Sequence, residues 1–221
     1  EFTSSGITIP GNPSDNLCLR AYQLLKNDFD LPPVKIHLHK IIPTGAGLGG
    51  GSSDAAYTLR ILNNIFNLQL STEALLPYAA ALGSDCAFFL HDPPMMGTGR
   101  GEILSPTSLK LTGKFLVIIK PDIHISTAEA YAGVTPHAPS IRLEEILQQP
   151  PHTWKGSLVN DFEKSIFPQH PILANIKSEF YNHGAIYASM SGPGSSMIGL
   201  FEKEIDVTAF GNPVSWSRLL S

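Results

Sequence analysis

A glycine-rich stretch around residue 50 constrains this chain more than any other feature. It reads Pro43-Thr44-Gly45-Ala46-Gly47-Leu48-Gly49-Gly50-Gly51-Ser52-Ser53-Asp54-Ala55-Ala56 and lies between two apolar segments. Glycine permits a positive φ and lets a ligand approach the backbone closely. The apolar period after the loop predicts a helix that begins near Ser52, and the free N–H groups at a helix start attract anions. The stretch therefore predicts a loop that wraps phosphate, in preference to a flexible linker.

Two common phosphate-loop patterns do not fit this stretch. The P-loop requires Gly-Lys-Ser or Gly-Lys-Thr, and this loop contains no lysine. Gly45, Gly47 and Gly50 match the dinucleotide pattern G-x-G-x-x-G. That pattern also expects an acidic residue after a second strand, about 20 residues later. Only Glu73 stands there, within a predicted helix, so the context disfavours an NAD-dependent oxidoreductase.

Composition and charge exclude several classes of protein. The chain has 221 residues, of which 43% are hydrophobic, enough for one core or two small lobes. Its net charge is −4 and no two basic residues are adjacent, which disfavours nucleic acid and anionic membranes as partners. Cys18 and Cys86 form no disulfide or zinc pattern. No apolar run approaches a membrane span of about 18 residues. We expect a cytoplasmic protein, with a removed plastid leader left open.

The segments around the glycine loop predict one strand and two further helices. Residues 34–42 alternate between apolar and polar, which is typical of a strand with one buried face. His37 and His39 share its polar face, and we interpret them as exposed to solvent because no third metal ligand is near in sequence. A helix capped by Ser14 or Asp15 is predicted to run to residue 27. Another is predicted over residues 72–82, with Ser71 as its N-cap.

An aspartate follows this last helix. Asp85 stands just before the apolar run Cys86-Ala87-Phe88-Phe89-Leu90, so we expect its carboxylate to be partly buried and to need a partner. From the residues alone, a turn or capping aspartate is the plainer interpretation.

The second half of the chain carries another glycine–serine loop. Residues 115–119 predict a buried central strand, and Ser126 with Glu129 predicts a capping box that opens a helix. A helix begins at Pro171, with Ile172, Ile176 and Phe180 predicted on its buried face. Strands over 185–190 and 197–201 flank the loop Ser191-Gly192-Pro193-Gly194-Ser195-Ser196. Two such loops in one chain favour a phosphate site over a plain hairpin turn. We place the lobe boundary at residue 112, with lobes over 1–112 and 113–221.

The loop sequence Gly-Leu-Gly-Gly-Gly-Ser-Ser resembles the ATP loop of the GHMP kinases, which include galactokinase and homoserine, mevalonate and phosphomevalonate kinases. The similarity continues through Leu82-Gly83-Ser84-Asp85, Gly99-Arg100-Gly101-Glu102, Asn160-Asp161-Phe162-Glu163 and the 191–196 loop. The extra glycines resemble one branch, which phosphorylates the 2-hydroxyl of diphosphocytidyl-methylerythritol in non-mevalonate isoprenoid biosynthesis. This resemblance implies ATP, Mg²⁺ and a small-molecule acceptor, in a monomer or homodimer.

The resemblance also implies a fold and a set of site residues. The fold would be α+β and two-lobed, with a mixed-sheet N-lobe of the ribosomal-protein-S5-like type and a ferredoxin-like C-lobe. Asp85 would be the catalytic base and would contact the acceptor. The nucleotide would be bound by Lys40, Pro43, Thr44, Gly45, Ala46, Gly47, Leu48, Gly49, Gly50, Gly51, Ser52, Ser53, Gly192, Gly194 and Ser195.

Several of these roles have equally plain alternatives. Thr127 and Tyr131 would contact and stack on the cytidine ring, but Tyr131 could equally be an ordinary half-buried tyrosine. Lys40 is either an adenine neighbour or a surface lysine. Ser53 is a candidate Mg²⁺ ligand, whereas Ser52 and Ser53 could simply cap the helix.

One departure from the family pattern bears on activity. Family members open with a strand that carries a catalytic lysine and continue into Arg-Pro-Asp-Gly-Tyr-His, whose last two residues contact cytosine. The sequence contains neither segment. We therefore expect these 221 residues by themselves to have little or no kinase activity. Another GHMP kinase, of homoserine or mevalonate type, and a catalytically inactive ATP-binding fragment remain alternatives.

Overall fold

The computed structural model describes residues 1–99, 101–135, 141–212 and 215–221, so Arg100 of the Gly-Arg-Gly-Glu motif lies outside the described residues. The chain forms two compact units. The first comprises Glu1–Thr44 and Gly49–Thr107, and the second comprises Gly45–Leu48 and Ser108–Ser221. In the described ranges, no helix is long and apolar enough to cross a membrane. Helices and strands occur in both units, and the fold belongs to the predicted α+β class.

The first unit contains four strands in two separate sheets. Its elements are β1 (Phe2–Gly6), α1 (Leu17–Asp28), β2 (Ile36–Lys40), α2 (Gly50–Ile65), α3 (Thr72–Leu82), β3 (Met95–Thr98) and β4 (Ile103–Pro106). β1 and β2 are parallel, which requires a crossover connection, and α1 lies within it. β3 and β4 form an antiparallel hairpin. Both strand directions therefore occur in this unit, but in different sheets.

The core of the first unit lies among its helices. The apolar face of α2 is buried at Ala55, Leu59 and Leu62, which pack with residues of α1 and α3. Cys18 and Cys86 are free and buried in this unit. Burial raises the pKa of both thiols. Both side chains are therefore inert apolar components of the core.

Two helix starts differ from the sequence prediction. α1 begins only at Leu17, because a 3₁₀ turn precedes it and the Asn16 side chain caps it by accepting from the Cys18 N–H. α2 begins at Gly50 rather than near Ser52, because Gly49 adopts a left-handed conformation and caps the helix without a side-chain bond. The interpretation of Ser52 and Ser53 as N-caps is therefore wrong. α3 begins and ends as predicted, with Ser71 as its N-cap.

The second unit is built on one four-stranded antiparallel sheet. Its elements are β5 (Phe115–Ile119), α4 (Thr127–Ala132), α5 (Leu143–Leu147), α6 (Glu163–Gln169), α7 (Pro171–Asn182), β6 (Tyr187–Met190), β7 (Met197–Phe201) and β8 (Trp216–Leu219). The strand order is β6-β7-β5-β8, and each neighbouring pair is antiparallel. β5 is central, as predicted, and β6 lies at an edge.

Both faces of this sheet are covered. Alternate residues of β5 pack with the buried face of α7, formed by Leu173, Ile176 and Phe180. Ile172, predicted on that face, is 39% exposed instead. On the other side, Tyr187 packs against Trp154, with ring centroids 5.6 Å apart.

Candidate functional site

Three glycines give the first loop its backbone shape. Gly45, Gly47 and Gly49 have φ values of 67°, 72° and 65°. The left-handed Gly49 directly precedes Gly50, the first residue of the right-handed helix α2. Such a change of hand turns successive N–H groups toward one side and forms a concave backbone site for anions. The predicted phosphate loop therefore has a backbone suited to an anion.

The start of α2 adds further donors. Its first backbone hydrogen bond runs from the Ser53 N–H to the Gly49 carbonyl at 2.9 Å, so the N–H groups of Gly50, Gly51 and Ser52 precede the helical ladder. The positive end of the helix dipole lies at the same place. The Ser52 hydroxyl interacts with the buried Cys86 thiol and lowers its pKa, against the larger effect of burial.

Lys40 is not the surface lysine of one sequence interpretation. It ends β2, its side chain is 3% exposed, and its Nζ lies 2.5 Å from Asp54 Oδ2. A Cβ placed on Gly50 would lie 3.2 Å from this Nζ. The ammonium group therefore lies directly against the start of α2, and the Asp54 carboxylate neutralises it there.

A cavity of about 250 Å³ opens beside this ion pair within the first unit. It brings together Lys40, Thr44 and Gly51, three residues that the sequence assigned to the nucleotide. Ile9, Asn16, Leu17, Leu38 and Asp54 also line it. Pockets that enclose a whole drug-sized ligand measure roughly 300–1,000 Å³. This smaller cavity suits one ring system of a nucleotide.

The second glycine–serine loop connects β6 to β7 and meets the segment Gly45–Leu48 within the second unit. The Ser191 hydroxyl donates to the Gly47 carbonyl at 2.8 Å, and the Ser196 N–H donates to the Ala46 carbonyl at 3.1 Å. A Cβ on Gly47 would lie 2.0 Å from the Ser191 carbonyl oxygen, so only glycine fits there. The 191–196 loop and the segment Gly45–Leu48 are thus held together by one side-chain and one backbone hydrogen bond.

Three residues of the second loop were assigned to the nucleotide. Gly192 and Gly194 have positive φ values of 50° and 93°. Ser195 is fully buried, and its hydroxyl donates to the Ile123 carbonyl at 2.6 Å. That hydroxyl therefore supports the loop itself. Gly192 is exposed, whereas Gly194 is buried and its N–H donates to the Ser191 carbonyl at 3.0 Å, so Gly192 is better placed than Gly194 or Ser195 to contact a ligand.

Asp85 is exposed, so the expectation of partial burial is wrong. The residue lies in the turn after α3. Its Oδ1 faces Gly101, where an added Cβ would lie 3.4 Å from that oxygen. The Ser84 hydroxyl is 3.5 Å from the same oxygen. Within the part of the chain that the structure describes, Asp85 has no ion pair. Its carboxylate is available to accept a proton from a ligand.

The two residues assigned to cytidine lie on the short helix α4. Tyr131 is 63% exposed and touches Phe162 edge-on, with ring centroids 5.0 Å apart, so the half-buried alternative is wrong. Thr127, one turn earlier, is also exposed. The predicted capping box forms only in part. Ser126 Oγ accepts from the Glu129 N–H at 3.1 Å, but the Glu129 carboxylate lies 3.2 Å from His170 Nε2 instead of turning back.

Sequence reasoning missed some residues that surround the two loops. The imidazole of His124 lies against Gly45, where a Cβ would be 2.7 Å from its Cε1. Asn160 and Glu163 were noted only as part of a similar motif, yet their side chains bond to the strand and loop at residues 190–192. No local pattern marks His124, because its contact partner is far away in sequence.

No metal-ligand cluster is present among the described residues: none holds three or more histidine, cysteine, aspartate or glutamate side chains together. His37 and His39 lie on the exposed side of β2, as predicted, where their rings hydrogen-bond the hydroxyls of Thr3 and Ser5. Their arrangement is explained by the strand pairing alone.

Comparison with protein families gives two matches along the chain. The model for the GHMP kinase N-terminal domain matches residues 16–92, and the model for the GHMP kinase C-terminal domain matches residues 143–215. A kinase from Bacteroides thetaiotaomicron named 4-diphosphocytidyl-2-C-methyl-D-erythritol kinase is 54% identical over 199 residues, which cover 90% of this chain and 73% of that protein. A protein of the same name from Parabacteroides distasonis is 46% identical and covers all of this chain and 82% of its own length.

Solved structures give the same result at the level of the fold. The crystal structure of a 4-(cytidine 5'-diphospho)-2C-methyl-D-erythritol kinase aligns with a TM-score of 0.75 and 31% identity, covering 92% of this chain and 74% of that one. Homoserine kinase from Cytophaga hutchinsonii aligns with a TM-score of 0.67 but only 18% identity, over 92% of this chain and 72% of that one. The second likeness concerns the fold alone.

Proposed function

Since this chain belongs to the GHMP kinase family, we propose that it transfers the γ-phosphoryl group of ATP to the 2-hydroxyl of 4-diphosphocytidyl-2-C-methyl-D-erythritol. The observation that carries the proposal is the 54% identity, over 90% of the chain, to a kinase of that name. The tripled glycine Gly49-Gly50-Gly51, which resembles this branch and not the shorter loop of most GHMP kinases, supports the same substrate.

ATP is held by backbone more than by side chains in this proposal. The N–H groups around Gly49 and Gly50 bind its phosphates. The cavity beside Lys40 receives a ring system of the nucleotide. Backbone donors fixed by glycine geometry need no rearrangement when phosphate binds, which favours phosphoryl transfer, a reaction that depends mainly on positioning and charge neutralisation.

The proposal includes Mg²⁺ as part of the nucleotide substrate. Mg²⁺ commonly binds through phosphate oxygens, waters and one or two protein ligands, and not through a dedicated protein cage. The absence of a three-carboxylate or histidine cluster from the described residues fits that mode. Ser53, in the first turn of α2, is the proposed protein ligand. When bound, the ion neutralises negative charge on the phosphates.

Asp85 is the proposed general base. Its exposed carboxylate accepts the proton of the 2-hydroxyl as that oxygen forms a bond to the γ-phosphorus and the bond to the ADP oxygen breaks. Assistance of this kind typically contributes about 10²–10⁴-fold to the rate. Tyr131 and Thr127 are the proposed cytidine contacts: an exposed tyrosine ring offers a face for stacking, and a threonine hydroxyl offers a hydrogen bond.

The test is ADP release from Mg·ATP with diphosphocytidyl-methylerythritol, homoserine or mevalonate as acceptor. In a protein that also carries the family's lysine and Tyr-His segments, we expect turnover with the cytidyl substrate alone, and a kcat lowered about 10²–10⁴-fold in Asp85→Asn. Asp92→Asn is the matched control, because Asp92 is an exposed aspartate of the same unit that pairs with Arg60. Release with homoserine or mevalonate instead would contradict the substrate assignment.

The alternative function is a nucleotide-binding module without transfer. It is favoured by the plainer interpretation of Asp85 as a turn residue, since its carboxylate has no ion pair among the described residues. Calorimetry with a non-hydrolysable ATP analogue distinguishes the two. Binding of the analogue with no ADP release from any acceptor would support the module. Binding together with cytidyl-dependent release would support the kinase.

A further inference from the structure

The motif Asn160-Asp161-Phe162-Glu163 has no role in the proposed chemistry, yet two of its side chains reach the second glycine loop. We propose that Asn160 and Glu163 are positioning residues for the nucleotide: they fix the strand end from which the 191–196 loop leaves, and through that loop they fix Gly47. This inference rests on the proposed function, because it concerns the site at which ATP would bind. The contacts that carry it all lie in the second unit.

The side-chain amide of Asn160 hydrogen-bonds both the end of β6 and the loop that follows it. Its Nδ2 donates to the carbonyls of Met190 and Gly192, both at 2.8 Å. Its Oδ1 accepts from the Phe162 N–H at 3.0 Å, which fixes the orientation of the amide group. One side chain therefore joins the last residue of β6 to the second residue of the loop.

Glu163 holds the same strand end through its carboxylate. Oε1 accepts from the Met190 N–H at 2.8 Å and lies 3.3 Å from the Ser189 hydroxyl. Oε2 lies 2.5 Å from Lys177 Nζ, on α7. The Glu163 side chain is only 12% exposed, so these bonds form in a site that largely excludes water. The strand end is thus anchored to a helix of the core.

The two side chains act together at an open strand edge. β6 is the edge strand of its sheet, and Met190 pairs with Met197 on its inner side. The N–H and C=O of Met190 are both occupied by side chains, the first by Glu163 and the second by Asn160. Backbone groups at a sheet edge are otherwise open to water or to another strand. The two side chains therefore hydrogen-bond the Met190 N–H and carbonyl groups, which a fifth strand would otherwise have paired.

The 191–196 loop is in turn hydrogen-bonded to the segment Gly45–Leu48. Ser191, the residue after Met190, donates its hydroxyl to the Gly47 carbonyl, and the Ser196 N–H donates to the Ala46 carbonyl. The Ser191 carbonyl oxygen occupies the space where a Cβ of residue 47 would lie, so the loop packs directly against Gly47. A shift of the 191–196 loop by a fraction of an ångström therefore moves Gly47, a residue of the loop proposed for the nucleotide.

The test uses Asn160→Asp and Glu163→Gln, which keep size and shape. Asn160→Asp retains the oxygen that accepts from Phe162 but loses both donated bonds and places a carboxylate beside two carbonyl oxygens. Asn63→Asp is the matched control. Asn63 Nδ2 likewise donates to a backbone carbonyl, that of Leu70, and its Oδ1 accepts from the Leu70 N–H, in the first unit. All proteins are measured at a temperature at which each is folded.

We expect Asn160→Asp to raise the Kd for a non-hydrolysable ATP analogue and the KM for ATP at least tenfold. We expect a smaller rise, about threefold, for Glu163→Gln, which keeps Oε1 as acceptor. The KM for the acceptor alcohol and the constants of Asn63→Asp should change less than twofold. A general loss of stability would not produce this separation of the two KM values.

A double-mutant cycle with Ser191→Ala measures whether the effect of Asn160 on nucleotide binding depends on the Ser191–Gly47 hydrogen bond. If Asn160 acts through the Ser191–Gly47 bond, Asn160→Asp should weaken analogue binding much less in the Ser191→Ala background than in the wild type. Equal effects in both backgrounds, or an ATP constant unchanged in Asn160→Asp, would overturn the inference. Failure of the wild-type protein to bind the analogue would instead contradict the proposed function, so the two failures are distinguishable.

Discussion

Each unit contains one close lysine–carboxylate pair beside a glycine-rich segment, and the two pairs are buried in opposite ways. In the first unit the lysine is the buried partner: Lys40 is 3% exposed and Asp54 is 24% exposed. In the second unit the carboxylate is the more buried: Glu163 is 12% exposed and Lys177 is 24% exposed. Glu163 also accepts hydrogen bonds from backbone and hydroxyl groups. The same pair of charges therefore supports the fold differently in the two units.

The difference lies in what remains when one partner is removed. Among the described residues, the Lys40 ammonium has no hydrogen-bond acceptor besides Asp54, and an unpaired buried charge is strongly unfavourable. A carboxylate that loses its lysine but keeps other donors is still hydrogen-bonded. We therefore expect the first pair to be the more sensitive to loss of its acid and the second to tolerate loss of its base.

The largest expected effect is that of Asp54→Ala. Because Lys40 would be left buried and unpaired, we expect the free energy of unfolding to fall by roughly 3–5 kcal/mol in a urea titration. Asp92→Ala is the control in the same unit, since Asp92 pairs with Arg60 of α2 at 3.0 Å but is 78% exposed. An exposed pair contributes about 0–1 kcal/mol. Equal losses in the two variants would contradict the importance of burial in the first unit.

Alkaline pH should weaken the second unit by a smaller amount. Burial raises the pKa of Tyr187 from 10.0 to about 12, against an opposing hydrogen bond with Ser189 and with a further rise from the Glu163 charge. Because the folded state keeps this proton longer than the unfolded state, the stabilisation is complete below pH 10 and is lost as the pH rises toward 12. A shift of two units corresponds to about 2.7 kcal/mol. The comparison of wild type with Tyr187→Phe in urea titrations over this range measures it.

In Tyr187→Phe this part of the pH dependence should disappear, although the hydrogen bond to the Leu158 carbonyl is also lost at every pH. The difference between the two pH profiles, and not the absolute stability at one pH, is therefore the relevant quantity. Identical slopes for both proteins between pH 10 and 12 would show that Tyr187 does not retain its proton in the folded state.

The smallest expected effect is that of Lys177→Met, which preserves the length of the side chain. Glu163 would keep its bonds to the Met190 N–H and the Ser189 hydroxyl, and we expect a loss of about 1 kcal/mol in the same urea titration. A loss as large as that of Asp54→Ala would break the contrast between the two pairs. It would mean that removing the partner of the buried Glu163 carboxylate lowers the free energy of unfolding as much as removing the partner of the buried Lys40 ammonium.

Local signals in the sequence predicted much of the fold. α3 has the predicted start, end and N-cap, because capping by Ser71 and the apolar period both act within a few residues. The strand Met197–Phe201 and the central strand Phe115–Ile119 also have their predicted bounds. The start of α2 was predicted wrongly because its cap is a backbone conformation, that of Gly49, which no side chain reveals.

The sequence could not predict features that depend on distant residues. The burial of Lys40 follows from a partner 14 positions away, and the Glu129 carboxylate turns to His170, 41 positions away, instead of completing its capping box. Asp85 was expected to be partly buried from its apolar neighbours, but the turn after α3 exposes it. The bonds from Asn160 and Glu163 to residues 189–192 span 26 to 32 positions, so the motif was visible while its role was not.

The segment Gly45–Leu48 groups with the second unit although the chain on either side of it belongs to the first. Ser191 and Gly47, which bond to each other, are 144 positions apart. At about 5–20 residues per second, a ribosome needs roughly 7–30 s to synthesise the intervening chain. These four residues therefore emerge long before their partners exist, and the loop acquires its final shape only after residues 191–196 have been synthesised. For the same reason, no single cut in the gene yields the second unit with all of its residues.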